Sequence, residues 1–190
     1  MKVIFTASLR GKKYFEPQYK RTVDVIKKLG YETNAEDLIH PSNNKIYTDI
    51  QEGSRDANVA MYKKKIQELQ EADICMFETS THSLAIGFMI QKALEFNKPT
   101  IVLYYKDNAP DFLTGVEDDK LIVKNYDDDN LEAVVTGVLG EGQNMRDKRF
   151  NFFISPKLLS YLENTSRKDG VTKSTFIRNL ILDHRKKFKL

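Results

Sequence analysis

Five short apolar runs lie within the first 126 residues, separated by stretches of helical periodicity, and they limit the possible folds of this chain most tightly. Val3-Ile4-Phe5-Thr6-Ala7-Ser8 reads as a buried strand ending in small polar side chains, and a helix over residues 19–29 follows it, closed by Gly30. Residues 32–39 hold a second short strand, residues 41–49 form a polar, turn-rich loop near the ligand side, and residues 58–71 are helical. Asp73-Ile74-Cys75-Met76-Phe77-Glu78 is a third strand, residues 84–96 a helix, residues 100–105 a fourth strand, residues 121–126 a fifth and residues 130–139 a last helix. Strands alternating with helices imply a parallel sheet covered on both faces. The expected fold is α/β, a doubly wound parallel five-stranded sheet with flanking helices and with ligands at the carboxyl ends of its strands.

The last forty residues follow another plan. Residues 148–154 alternate with a period of two, which sets Phe150, Phe152 and Ile154 on one face and Arg149, Asn151 and Phe153 on the other. Ser155 stands at an N-cap position with Pro156 at the first helical residue, and Leu158, Leu159 and Leu162 recur at helical spacing to about Lys168. Gly170 ends that helix and Thr172 caps the next, whose apolar stripe is Phe176, Ile177, Leu180 and Ile181. One strand and two short helices bury too little surface to fold alone, so two copies are expected to pair, making the protein a homodimer or a higher even oligomer. The expected domains are residues 1–140, a polar, glycine-bearing linker at 141–147, and residues 148–190.

Charge divides along the same line. Residues 147–190 carry eleven Lys and Arg against four Asp and Glu, whereas the remainder carries 19 against 23. A basic tail on an acidic body supports a phosphate backbone as partner, the plainer alternative being a solvated surface. Met1 runs straight into a strand and no apolar run nears the ~20 residues that span a bilayer, so a cytoplasmic protein with no membrane partner is expected. Cys75, the single cysteine, lies in an apolar stretch and reads as a buried spectator. With one cysteine and three scattered histidines, no metal is expected, and no cofactor either.

The tail resembles the ribbon-helix-helix repressors, in the order of its elements, in Ser155-Pro156 after the strand, and in Gly170-Val171-Thr172-Lys173-Ser174 leading into Ile177-Arg178. The resemblance implies a dimeric ribbon lying in the major groove of DNA. Arg149, Asn151 and Phe153 would face the bases, and Thr172, Lys173 and Ser174 would hold a phosphate. Phe153 departs from the pattern of a hydrogen-bonding reader.

The body resembles the nucleoside 2-deoxyribosyltransferase family, on the branch of the deoxynucleoside 5′-monophosphate N-glycosidases. The likeness is carried by Phe5-Thr6-Ala7-Ser8-Leu9-Arg10-Gly11, by Ala72-Asp73 opening a strand that ends in Glu78, by Ser83-Leu84-Ala85-Ile86-Gly87-Phe88 and by Ala93-Leu94-Glu95-Phe96-Asn97-Lys98-Pro99. It implies cleavage of an N-glycosidic bond by a glutamate that attacks the anomeric carbon, assisted by an aspartate. The glutamate's place holds Met89 and the aspartate's place Lys65, neither of which has a carboxylate's chemistry. Ser8, Arg10, Gly11 and Ser83 keep the pattern that would hold a 5′-phosphate, although the same residues serve as ordinary caps and surface charge. Glu78 is the carboxylate left near the pocket, His82 stands beside it, and Tyr14, Tyr47 and Tyr62 are candidates to stack on a base.

Three functions follow. Loss of the nucleophile beside a basic tail points first to a dimeric DNA-binding regulator whose body is a catalytically degenerate nucleotide sensor. The alternative is an active deoxyribosyltransferase or N-glycoside hydrolase that uses its tail for oligomerisation. The third is an antitoxin-like component.

Overall fold

A computed structural model describes residues 1–39, 55–146 and 151–188 of the chain. It divides into two compact units, Met1–Asp147 and Lys148–Leu190. The first unit is an α/β fold. Its five strands, β1 (Lys2–Ala7), β2 (Glu32–Thr33), β3 (Ile74–Glu78), β4 (Thr100–Tyr105) and β5 (Leu121–Tyr126), are all parallel and lie in the order β2-β1-β3-β4-β5.

The strands are buried on both sides because their residues alternate between two apolar layers. Val3, Phe5, Ile74, Met76, Ile101 and Leu103 pack beneath α1 (Lys12–Lys28) and α6 (Leu131–Asn144), against Tyr19, Val23, Ile26, Val135 and Leu139. Ile4, Cys75, Phe77 and Val102 face the other way, beneath α3 (Arg55–Glu71) and α4 (Leu84–Glu95), against Leu69, Ile86, Ile90 and Ala93. Two short helices, α2 (Glu36–Ile39) and α5 (Asp111–Thr114), complete the described part of this unit. Cys75 is fully buried, and burial pushes its thiol up to about 12.

Helix α1 begins seven residues before the expected start. Pro17 in its second turn has no N–H to give, which weakens a helix there. The helix forms nonetheless because Phe15, Tyr19, Val23 and Ile26 make one apolar stripe onto the sheet. Gly30, at φ +81°, closes it: Gly30 N–H bonds the Lys27 carbonyl at 2.9 Å and Tyr31 N–H the Ile26 carbonyl at 3.2 Å. The short strand expected within residues 32–39 is β2, only two residues long, and α2 occupies the end of that segment. At the other end α6 continues to Asn144, so residues 141–144, read as linker, are helical. Gly142 sits against the sheet there, where an added Cβ would stand 3.3 Å from Ile101 Cδ1, and Arg146 closes the region with a 2.6 Å ion pair to Asp73.

In the second unit α7 (Pro156–Lys168) starts from the Ser155 cap, whose hydroxyl accepts the Leu158 N–H at 3.4 Å, and ends at Gly170 with φ +68°. Thr172 accepts the Thr175 N–H at 3.1 Å at the start of α8 (Lys173–Phe188), and Lys173 bonds Glu163 of α7 at 2.7 Å. Residues 151–154 take no strand conformation. A lone ribbon strand has no ladder to join without a second chain, so its period of two is not enough to make it one. Arg149 and residues 148 and 150 of the expected strand lie outside the described residues, as do the loop at 41–49 and Tyr47. No helix among the described residues is long and apolar enough to cross a membrane.

Candidate functional site

The strand order fixes where the site lies. Connections leave β1 and β3 to opposite sides, so their carboxyl ends form the switch point at which doubly wound sheets open a crevice. The register sets Ala7 beside Glu78 at that edge. The turn after β1, a 3-10 turn at Leu9–Gly11, therefore meets the loop after β3. Gly11 permits the contact: a Cβ there would collide with the Tyr19 hydroxyl and stand 2.7 Å from the Thr81 hydroxyl. Its φ is ordinary, so space and not backbone freedom requires the glycine.

Glu78 is the chemical centre of this edge. It is 1% exposed and held by hydroxyls from three elements. Tyr19 of α1 donates to Oε2 at 3.0 Å, Tyr126 of β5 donates to Oε1 at 3.2 Å, and Ser80 donates to Oε1 through its amide at 3.2 Å and through its hydroxyl. Burial raises the Glu78 carboxyl above the ordinary carboxylate range, and the bonds from Ser80, Tyr19 and Tyr126 oppose the rise without cancelling it. The two phenols are pushed up in turn, by burial first and then by the nearby carboxylate, so both stay protonated as donors.

Around this carboxylate stands an aromatic wall. Phe15 lies 5.6 Å from Tyr105, Tyr105 lies 5.6 Å from Tyr126, and Phe15 lies 6.4 Å from Tyr19, ring centre to ring centre. Tyr105 ties the wall to the loop after β5. Its hydroxyl donates to Asp128 at 2.6 Å, Gln18 donates to the same carboxylate at 2.8 Å, and its amide donates to the Ser80 hydroxyl at 2.7 Å. The bond from Tyr105 is the largest of the influences that lower the Asp128 carboxyl.

The residues expected at the site divide into two groups. Ser8 is buried at the foot of the 3-10 turn, Gly11 is packed under the loop, and Glu78 lies beside them, so the structure brings these three together. Ser83 caps α4 by accepting the Ile86 N–H at 3.5 Å, the structural role open to it, while Arg10 and His82 are exposed. Met89 packs against the layer of Ile86 and Ile90 on the far side of the sheet from the Glu78 carboxyl. Lys65 is paired with Glu68 at 2.8 Å, a carboxylate that also accepts from Asn34, and so belongs to the α3 surface. Tyr14 is exposed beside Phe15, and Tyr62 is stacked on Phe88 between α3 and α4. Sequence reasoning missed Tyr19, Ser80, Tyr105 and Tyr126. Tyr105 and Tyr126 each end an apolar strand run, and that was the available signal.

No family model matches the chain. Among curated proteins it is similar to the "Putative 2′-deoxynucleoside 5′-phosphate N-hydrolase 1" of Syntrophotalea carbinolica, 29% identical over 105 residues, which cover 55% of this chain and 69% of that protein. Among solved structures it is similar to the Clostridium botulinum CMP N-glycosidase BcmB, at 15% identity and a TM-score of 0.45, covering 72% of this chain and 98% of that one. The curated relative overturns the first functional expectation, that of a DNA-binding regulator with an inactive sensor. The protein that this chain resembles is named for hydrolysis, and the enzymatic alternative is the one that its likeness favours.

Proposed function

We propose that the chain is an N-glycoside hydrolase acting on a deoxynucleoside 5′-monophosphate or its nucleoside, with Glu78 as the working carboxylate and the C-terminal unit serving oligomerisation. The observation that carries this reading is the buried Glu78 carboxylate at the β1/β3 switch point, ringed by donors from α1, β5 and the loop after β3. The hydrolase likeness over 105 residues supports the class of reaction.

Cleavage breaks the bond between the anomeric carbon and the base nitrogen, and its electron pair leaves with the base. The sugar ring then carries positive charge, water adds at the anomeric carbon, and a proton from that water ends on the departing base. An ionised carboxylate in a water-poor site stabilises the positive sugar without touching it, because little solvent screens the charge. Met89 forms no glycosyl ester. Direct addition of water is preferred to transfer through a covalent intermediate, and hydrolase to transferase, because the likeness is to a protein named for hydrolysis. Ser8 and Arg10, on the turn after β1, are proposed to hold the 5′-phosphate, Arg10 by its positive charge; the Gly11 amide already donates to the Ser8 carbonyl at 2.9 Å. The aromatic wall of Phe15 and Tyr105 offers a surface for the base.

Chromatographic detection of free base from each of the four deoxynucleoside 5′-monophosphates tests the reading. It requires base release by the full chain and a fall of about 100-fold in the Glu78→Gln variant. No release from any nucleotide or nucleoside overturns it.

A further inference from the structure

The donors around Glu78 are divided unequally between its two oxygens. Oε1 takes the Tyr126 hydroxyl, the Ser80 amide and the Ser80 hydroxyl, whereas Oε2 takes the Tyr19 hydroxyl at 3.0 Å. The directions of the Oε1 bonds are constrained. A backbone N–H cannot turn away, and the Ser80 hydroxyl already accepts the Tyr105 N–H at 2.7 Å, so its single hydrogen is directed at Glu78. A proton placed on Oε1 would meet the two Ser80 hydrogens, which are held in place, and the Tyr126 hydroxyl besides. Placed on Oε2, it meets one phenol hydroxyl, which turns about its C–O bond and accepts as readily as it donates.

We propose that Tyr19 is a positioning residue that fixes the proton of neutral Glu78 on Oε2 and reverses its own hydrogen bond each time Glu78 ionises. When Glu78 is charged, Tyr19 donates to it. When Glu78 is neutral, Oε2 donates to Tyr19, and the phenol hydrogen turns toward the other side of its oxygen. The Thr81 hydroxyl lies toward that side: it and the Tyr19 hydroxyl are the nearest atoms to where a Cβ on Gly11 would stand. Tyr19 thus serves both charge states of Glu78, whereas Tyr126 and Ser80 serve the ionised state above all. The groups facing the carboxyl from the surrounding elements are Tyr19 of α1, Tyr126 of β5 and Ser80 of the loop. Tyr105 of β4 and its partner Asp128 stand one bond further out, and His82 of the same loop is exposed.

The inference rests on Glu78 as the working carboxylate, but its test is read on the resting protein. The Glu78 carboxyl would be titrated by NMR in full-length protein carrying carbon-13 at the glutamate carboxyl, its signal identified by its loss in Glu78→Gln. Tyr126→Phe and Ser80→Ala each remove a donor to the charged form and raise the proton affinity of Glu78 by about tenfold. Tyr19→Phe removes a partner of both forms and raises it by less than half as much on a logarithmic scale. A rise in Tyr19→Phe of half or more of that in Tyr126→Phe on the same scale overturns the proposal, and Ser80→Ala takes the place of Tyr126→Phe should the latter not fold. Base release distinguishes the two ideas: an inactive protein whose carboxyl titrates as described retains the Tyr19 assignment and loses the hydrolase reading.

Discussion

Gly11 and Thr81 face each other so closely that a methyl group at position 11 would stand 2.7 Å from the Thr81 hydroxyl, with the Tyr19 hydroxyl on its other side. This contact seats the turn after β1 on the loop after β3. Gly11→Ala must push one of them away, and overpacking of this kind costs about 1–3 kcal/mol. Urea unfolding monitored by circular dichroism checks the loss. A loss of base release larger than the loss of stability would follow from displacement of Tyr19 from Glu78.

Glu78 gives a pH signature. Its folded-state carboxyl is raised above the ordinary value by burial, so the folded protein holds the proton over a range in which the unfolded chain has released it. The stability that this brings is present at acid pH and is lost as pH climbs from the unfolded value through the folded one. Glu78→Gln carries no such dependence. The melting temperature of the variant minus that of the wild type should therefore grow more positive between pH 4 and pH 8, whatever constant offset the amide introduces. Parallel curves would contradict the raised carboxyl.

Two glycines of α6 test whether the helix runs through the segment read as linker. Gly137 opens onto empty space, so Gly137→Ala should gain about 0.5–1 kcal/mol from helix propensity alone. Gly142 meets Ile101 at 3.3 Å and Ile74 at 3.5 Å, so crowding opposes the same gain and Gly142→Ala should stabilise less. Equal gains would place position 142 away from the sheet.

Met89 lies among the apolar side chains under α4 and not at the Glu78 carboxyl. Met89→Leu, which keeps its volume, should change stability by less than about 1.5 kcal/mol and leave base release unaltered. Removal of residues 148–190 should likewise leave each remaining chain active while lowering the oligomeric state measured by light scattering. Loss of activity in step with loss of assembly would instead place part of the site between chains.

Four of the five parallel strands were legible in the sequence because each is an apolar run bounded by helical periodicity, and β4 and β5 lie at the expected residues, whereas β2 is the short polar pair Glu32–Thr33. So were the caps at Ser155 and Thr172 and the left-handed glycines at 30 and 170, since each rests on chemistry local to a few residues. The start of α1 lies before the apolar stripe that was read, and the end of α6 was hidden by Gly140 and Gly142, of which Gly142 belongs to tight packing against the sheet. The site was half legible. Glu78 could be placed at a strand end, but its partners Tyr19, Ser80 and Tyr126 converge on it only through the order of the sheet, which no local spacing encodes. Met89 and Lys65 suggested an inactive protein because the resemblance supplied two places for a carboxylate and neither holds one. The sequence placed Glu78 near the pocket but did not say which hydroxyls would hold it there.

The central claim is tested most directly by measuring free base released from deoxynucleoside 5′-monophosphates by the full-length protein and by Glu78→Gln, at equal concentrations and with folding checked by circular dichroism. The account predicts turnover by the wild type and a fall of about 100-fold in the variant. Unchanged turnover in the variant would remove Glu78 from the chemistry, and an absence of turnover in both would contradict the hydrolase itself.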